Sequence, residues 1–520
     1  MTGLPPEPDV LIVGYGPVGA ALAGLLGRWG IHVLVVDKAP GIYTAPRAIA
    51  LDNEALRILQ AVGLPEGAFA TVAIPFVRMH SPRLGQFGAI NSAGSVDGHP
   101  KLVTFYQPEL EAALRAHAEG HPSVSAVTSV EMLDCVDEGD AVRVTLRTAD
   151  GGESVVRARY VVGADGASSA VRQRIGLEFE GDSYAEDWLV VDALDVPDNI
   201  DHVEFICDPD RPTPHMVAPG GRTRWEFMLR PGESRQEMEA DATITQLLAP
   251  WAKGRPIRIE RKAVYRFHAR ACRQFSKGRV FLAGDAAHVT PPFVGQGLVS
   301  GLRDAVNLAW KLAWVVRGRG AASMLESYDH ERRPHAVKMI DLAKFMGQLV
   351  MPQSHTKALA VHGTMALLRR LPFGRRFFDE LGMKPQNAYP EGLFVGGGER
   401  GLRGTWFPQA LVRDPSGQVF PSDEALGGDL ALVGLGVDPA AHLSQAALAR
   451  WSGAGGRVVH IAARGAKGDA EDLEGRLVPG VGPHGWCVVV RPDLTVLHDG
   501  SVQDAERIVT ESLGLLAGPG

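Results

Sequence analysis

Gly14-Tyr15-Gly16-Pro17-Val18-Gly19 separates the all-apolar run Val10–Val13 from a helical repeat, and this hexapeptide leaves the chain little choice of local fold. A short run without polar residues is expected of a central parallel strand covered on both faces. The helix should occupy residues 17–29, where Val18, Ala21, Leu22, Leu25 and Leu26 recur at helical spacing and Gly30 ends the run. Residues 33–36 read as a second buried strand, and a right-handed crossover places both strands in one parallel sheet. Within the turn the first glycine permits a tight bend, the second lets backbone approach a pyrophosphate, and the third lets helix and strand pack closely. The helix N-terminus favours phosphate charge, and Asp37, closing the second strand, is placed to accept from an adenosine ribose. Strands on both sides and an acid in place indicate dinucleotide binding, without separating NAD from FAD.

Two later motifs bear on that choice. Tyr160-Val-Val-Gly-Ala-Asp165-Gly166 is a strand running into a helix start at 167–172, and alone it is equally well a strand, an Asp-Gly turn and a capped helix. The third runs from Gly278 through Val280-Phe-Leu-Ala-Gly284-Asp285-Ala-Ala-His288 to Pro291-Pro292-Phe293-Val294-Gly295-Gln296-Gly297, and a long helix follows over 298–316. A strand that delivers Asp285 among small residues suits a polyhydroxyl chain lying against backbone, and the flavin ribityl is such a chain. Gly295 and Gly297 allow N–H groups to approach a ring, and the helix N-terminus beyond favours negative charge there. A glycine-rich loop before a core helix would explain the apolar repeat of 298–312 but not Asp285 or the proline-glycine pattern.

Helices are expected over 53–62, 108–118, 236–251, 331–350 and 356–371, and strands over 141–148, 155–162, 202–207, 215–218, 223–229 and 280–283. The fold class is α/β: a Rossmann-like FAD-binding domain (1–187 and 267–388), an inserted antiparallel β-sheet substrate domain (188–266) and a C-terminal thioredoxin-like domain (405–520). Residues 389–404, with five glycines between Gly392 and Gly401, are the linker candidate. The last domain should read strand, helix, strand, two strands and helix over 430–435, 443–451, 457–461, 487–491, 495–498 and 505–516. It has no Cys-x-x-Cys pair, so thiol redox chemistry is excluded. The scattered Cys135, Cys207, Cys272 and Cys487 are expected to be small buried hydrophobes, and no metal site is expected.

A net charge of -7 lacks the footprint of a nucleic-acid binder, and the basic cluster Arg369-Arg370 with Arg375-Arg376 is read as a solvated helix face or ion-pair site. No run of about 18 uncharged apolar residues is present, and the polar, proline-rich start of the chain is not a signal core. The expectation is a cytoplasmic protein away from membranes and nucleic acid, with a homodimer allowed for.

The three motifs in this order make the chain resemble the p-hydroxybenzoate hydroxylase family of flavoprotein monooxygenases over nearly its whole length. Within it the chain is similar to the 3-(3-hydroxyphenyl)propionate hydroxylases, through Pro46-Arg47-Ala48, Asp285-Ala-Ala-His288, Gly295-Gln-Gly297, Arg303-Asp304 with Asn307-Leu-Ala-Trp310-Lys311-Leu312, and the C-terminal domain. The resemblance implies FAD held by Gly14, Gly16, Pro17, Val18, Gly19, Asp37, Lys38, Arg47, Gln107, Asp165, Gly284 and Asp285, with Pro292, Gly295, Gly297 and Leu298 along the isoalloxazine. It further implies NADH or NADPH as co-substrate and hydroxylation of a phenolic ring by O2 carried as a flavin C4a-hydroperoxide. Catalysis is then borne by the flavin, with His288 and Pro292 as the only protein candidates and His288 equally a local cap. His215, Arg222, Arg224, Tyr265 and Phe293 are candidates for contacts to a small aromatic substrate. Two departures stand out: Asp37 where the family more often has Glu, and Leu298-Val299 after the Gly-Gln-Gly, which bears on substrate identity. Alternatives are a flavin oxygenase tailoring a polycyclic natural product by hydroxylation or epoxidation, and a non-catalytic binding protein on the same fold. A halogenase would need a Trp-x-Trp-x-Ile-Pro segment that the nine tryptophans do not supply, and a plain NAD dehydrogenase leaves Asp285 without a role.

Overall fold

The computed structural model describes residues 7–44, 47–197, 199–371, 384–398 and 400–518, so Pro46 and the pair Arg375-Arg376 lie outside the described residues. Val10–Val13 pairs in parallel with Val33–Asp37 on one side and Tyr160–Gly163 on the other. Val124–Thr128 and Val280–Leu282 extend the sheet, and Ser276–Lys277 closes it antiparallel, giving six strands. The helix Pro17–Arg28 packs against Gln107–Glu119 and Gly297–Val316. Nine of its twelve residues are buried, which explains its wealth of Ala, Leu and Gly: it is covered nearly all round.

The second sheet has eight strands, in the order His288–Val289, Arg258–Cys272, Phe179–Leu194, Arg222–Met228, Thr213–Ala218, Val203–Ile206, Phe76–Ser81 and Gly85–Asn91. It therefore draws on more chain than residues 188–266. The strands 179–194 and 258–272 run past both limits, and a hairpin from residues 76–91 joins its edge, with one parallel pairing in an otherwise antiparallel sheet. Two expected elements are corrected. Residues 155–162 are not one strand: Glu153–Ala158 pairs in a small antiparallel sheet while Tyr160–Gly163 enters the parallel one, the chain changing partners at Arg159. The helix over 236–251 is two, Arg235–Met238 and Asp241–Ala252, because Ala240 is extended and a capping box at Ser234 and Glu237 starts the first separately. By contrast, Asn53–Val62 keeps its expected limits, with Asp52 capping its start and Gly63 left-handed at its end.

Residues 405–518 carry a seven-stranded sheet in the order Val419–Pro421, Leu411–Arg413, Ala470–Asp472, Gly456–Ala462, Leu430–Leu435, Trp486–Val490 and Val496–Ser501. One face of it, including Leu430, Leu432 and Val489, shares a continuous apolar core with the helix Gly297–Val316 and the parallel sheet. The opposite face, including Ala431, Val433 and Val488, has a core of its own. The glycine-rich stretch 389–404 is held rather than loose. Leu393 N–H donates to Glu331 (2.8 Å), Val395 N–H to Leu497 O (2.9 Å), and Arg403 bonds Asp499.

Candidate active site

All three motifs converge on the carboxyl end of the parallel sheet. Gly14 has φ +107°, and a Cβ there would stand 2.4 Å from Ala164 O, so only glycine lets the first turn lie against the Ala164-Asp165 turn. A Cβ on Gly19 would stand 2.0 Å from Gly14 O, whereas a Cβ on Gly16 would meet nothing within 4 Å. The second glycine thus borders open space at the N-terminus of the helix Pro17–Arg28, where a pyrophosphate needs bare backbone. Val18 then wedges between Gly284 and Gly301, tying the first motif to the third. The contrast yields a prediction: Gly19→Ala, at a distance no packed carbon tolerates, gives a misfolded or flavin-free protein, overpacking alone costing roughly 1–3 kcal/mol or more. Gly16→Ala keeps the thermal midpoint of the apoprotein and loses flavin, which absorbance after gel filtration will report.

Around this cradle the remaining side chains divide by what they already hold. Asp37 accepts from Tyr15 N–H and Ala39 N–H, both at 2.7 Å, which fixes its carboxylate at the strand end, and Lys38 beside it is exposed. Asp165 accepts from Ser169 Oγ (2.5 Å), Ala170 N–H (2.7 Å) and Val171 N–H (3.2 Å), so its carboxylate caps the helix Ala170–Arg174. Gln107 Oε1 accepts the N–H groups of Arg47 and Ala48, each at 3.0 Å, and clasps that loop to the head of the helix Gln107–Glu119. Asp285 differs from these. It has no hydrogen-bond or ion-pair partner among the described residues; burial pushes its carboxyl up, and Arg47 and His288 only partly oppose that. A carboxyl group in this condition fits a hydroxyl-bearing ligand that supplies the missing donors.

The loop that follows is set by Asp304, a residue the sequence offered only within a family pattern. Asp304 is fully buried, accepts from Gly284 N–H (3.0 Å), His288 Nε2 (2.7 Å) and Arg332 Nε (2.8 Å), and is held below the usual carboxylate range by His288 and Arg332 against the opposing effect of burial. His288 also stacks on Phe275, so this ring is a brace for the loop. Pro292–Val294 forms a 3-10 turn, Gly295 is left-handed (φ +63°), and Gly297 opens the helix with Leu298 partly exposed after it. Gln296 turns inward, donating to Asp52 and accepting from Arg303.

From that loop, Phe293 packs edge-on against Trp188 (5.8 Å between ring centroids) and Phe267 (6.1 Å). Strand pairing puts Trp188, Val190 and Asp192 on one sheet face with Met228, Glu226 and Arg224, and with Tyr265 and Arg261 of the next strand. Arg224 there clasps Asp192 (2.6 and 2.9 Å) and donates to Arg47 O (3.0 Å), joining the sheet to the loop beside Asp285. Tyr265 OH accepts from Arg261 (2.6 Å) and its ring lies under the Arg47 guanidinium. Arg222 shares the face but is spent on Glu260 and the Tyr106 ring. His215 is a correction: it belongs to the opposite face, stacked on Trp225 at 5.0 Å beneath the helix Asp241–Ala252, because residues paired across strands share a side and His215 pairs with Trp225. Met216, one residue on, occupies the side expected for it.

A dinucleotide turn after Val10–Val13, with a carboxyl group lacking donors just beyond Val280–Leu282 two strands away in the same parallel sheet, fits a flavin-binding enzyme fold. Comparison with known proteins agrees: residues 7–343 match the FAD binding domain family, and residues 404–514 match the HcaD C-terminal domain. The chain belongs to that FAD-binding family, as an FAD-dependent aromatic hydroxylase. A 3-(3-hydroxy-phenyl)propionate/3-hydroxycinnamic acid hydroxylase of Klebsiella pneumoniae is 37% identical over 458 residues, 87% of this chain and 82% of the relative. The protein of that name from Escherichia coli O81 is 35% identical over 501 residues, 93% and 90% of the two chains. Among solved structures, the flavin-dependent monooxygenase PieE in complex with FAD and substrate superimposes with a TM-score of 0.79 at 20% identity, over 98% of this chain and 99% of the other, which is a likeness of fold. No helix among the described residues is long and apolar enough to cross a membrane.

Proposed function

We propose that this hydroxylase acts on a small phenolic acid of the 3-(3-hydroxyphenyl)propionate type, with NADH or NADPH as reductant and O2 as oxidant. The observation that carries this reading is the aromatic wall of Trp188, Phe267 and Phe293, set between the loop after Asp285 and the substrate sheet. Bound FAD supplies the hydride acceptor and the oxygen-transferring centre. The chain's own residues bind and enclose. Gly16 would give the diphosphate bare backbone in a turn that Gly14 and Gly19 keep tight, Asp37 would take the adenosine ribose, and Asp285 would take the ribityl hydroxyls. The segment from Pro292 to Leu298 would lie along its ring system. Phe293, with Met346, Leu349 and Val350 of the helix Ser327–Val350, closes the apolar side of the chamber and keeps water from the reacting face. The scheme calls on no side-chain nucleophile, and His288, hydrogen-bonded to Asp304, positions the loop rather than relaying protons.

The reading is tested by NAD(P)H oxidation with the purified yellow protein, with and without 3-(3-hydroxyphenyl)propionate, while hydrogen peroxide is followed. The expected result is strong stimulation, little peroxide and a dihydroxylated product. Stimulation with stoichiometric peroxide, or none at all, moves the substrate to another aromatic compound.

A further inference from the structure

The strand Arg222–Met228 alternates charged and aromatic residues, and the register puts Arg224, Glu226 and Met228 on the face turned to the aromatic wall. Glu226 is only 7% exposed and makes no hydrogen bond or ion pair among the described residues. Its strand neighbour Arg224 is committed to Asp192 and the Arg47 carbonyl, and Arg261, which also faces it, is committed to Asp192 and Tyr265. Burial pushes the Glu226 carboxyl up, with Arg224 opposing. A second polar atom on this face is in the same condition. Trp188 pairs with Met228 and so lies diagonally from Glu226, and its fully buried indole N–H has no acceptor. A buried acceptor and a buried donor, both unmet among the described residues, each cost folding free energy that a ligand supplying the missing partners returns.

We propose that Glu226 is the specificity-determining residue of the pocket, accepting the hydrogen bond of the substrate's phenolic hydroxyl, while Trp188 donates to an oxygen of the same ligand. The assignment rests on the phenolic-acid reading and sharpens it: the ring must carry a donor toward the sheet, and the acid chain must point away from Glu226, where a second carboxylate would be repelled. Aromatic acids with methoxy or hydrogen at that ring position leave Glu226 unmet and bind weakly.

The test titrates the yellow holoenzyme with 3-(3-hydroxyphenyl)propionate, its 3-methoxy analogue and 3-phenylpropionate, reading the perturbation of the flavin spectrum. Wild type should prefer the hydroxy ligand by about ten- to a hundredfold, the worth of one hydrogen bond to a charged or desolvated group. Glu226→Leu should level the three affinities while holding as much flavin and melting no lower than wild type, since it removes an unmet buried carboxyl. Glu226→Gln, whose amide oxygen still accepts, should keep the preference. A leucine variant that retains the preference, a glutamine variant that loses it, or a wild type without it overturns the assignment. Turnover separates the two ideas: a hydroxylated product with preferences unaltered by these substitutions spares the proposed reaction and removes Glu226, whereas an intact, Glu226-dependent preference without product does the reverse.

Discussion

Asp285→Ala will yield a protein that folds as wild type but comes through gel filtration nearly colourless, with FAD affinity lowered at least about a hundredfold, as expected for two lost hydrogen bonds to a carboxylate at roughly 1.5–3 kcal/mol each. Asp285 has a role only when a ligand is bound. Its carboxyl is raised by burial and has no donor from the described residues, so in the apoprotein its removal breaks nothing and relieves a desolvated group. The apoprotein of the variant should therefore melt at the same temperature or slightly higher, while the stabilisation that added FAD gives to wild type disappears. Fluorescence titration of apoprotein with FAD, beside a thermal melt, reads both quantities. A variant that loses apoprotein stability and keeps its flavin would show that Asp285 is a structural residue.

The second large effect lies away from the cofactor. Glu331 is fully buried and accepts five hydrogen bonds: from Arg491 Nη1 (2.7 Å) and Nη2 (2.8 Å), Lys311 Nζ (2.8 Å), Asn307 Nδ2 (2.6 Å) and Leu393 N–H (2.8 Å). Asp493 bonds Arg491 on the other side, so two cations and two anions balance inside the protein. Burial pushes Lys311 down to about 8. Burial also opposes ionisation of Glu331, but Arg491 and Lys311 overcome it and hold its carboxyl far below the ordinary range. Glu331→Gln leaves one buried positive charge uncompensated and should cost about 3–5 kcal/mol, read as a lower urea or thermal midpoint. Adding Lys311→Met should recover part of that loss, the two effects being coupled through contact. Because the folded-state value is depressed, Glu331 contributes fully above its unfolded value near 4.5 and loses that contribution only as pH falls through the lower folded value. The Gln variant should accordingly show a flatter acid limb in stability against pH.

What could be read from the chain alone follows the range of each cause. The turn at Gly14–Gly19, the helix Asn53–Val62 and the strand Leu430–Leu435 are set by residues within a few positions, and the structure gives them at their expected limits or within a residue or two. Partner choice is not local. Nothing in Phe76–Ser81 announces that it joins a sheet formed mostly by residues 179–272, and nothing at Arg159 announces that a β-rich run changes sheets there. The same limit explains His215: alternation tells which residues share a side, but the side that faces the cofactor is decided by the helix Asp241–Ala252 covering the other. Asp304 is legible only within the family pattern Arg303-Asp304 and not by its role, since its three partners come from residues 284, 288 and 332. Glu226 did leave a trace, an acid between Trp225 and Phe227 two residues after Arg224, and such an acid signals either an ion pair or a ligand.

The helix Gly297–Val316 has its first turn at the loop Pro292–Gln296 and its far half locked by Lys311 into the Glu331 cluster and by Trp314, whose indole donates to Ala454 O (3.1 Å). It is in effect a tie-beam of 20 residues, about 30 Å long, held in the C-terminal sheet's core at one end and, through Arg303 and Asp304, to Asp52, Glu54 and Arg332 at the other. The loop Pro292–Gln296 and the C-terminal sheet are thus joined by one rigid element, so the last domain shares in fixing where that loop stands.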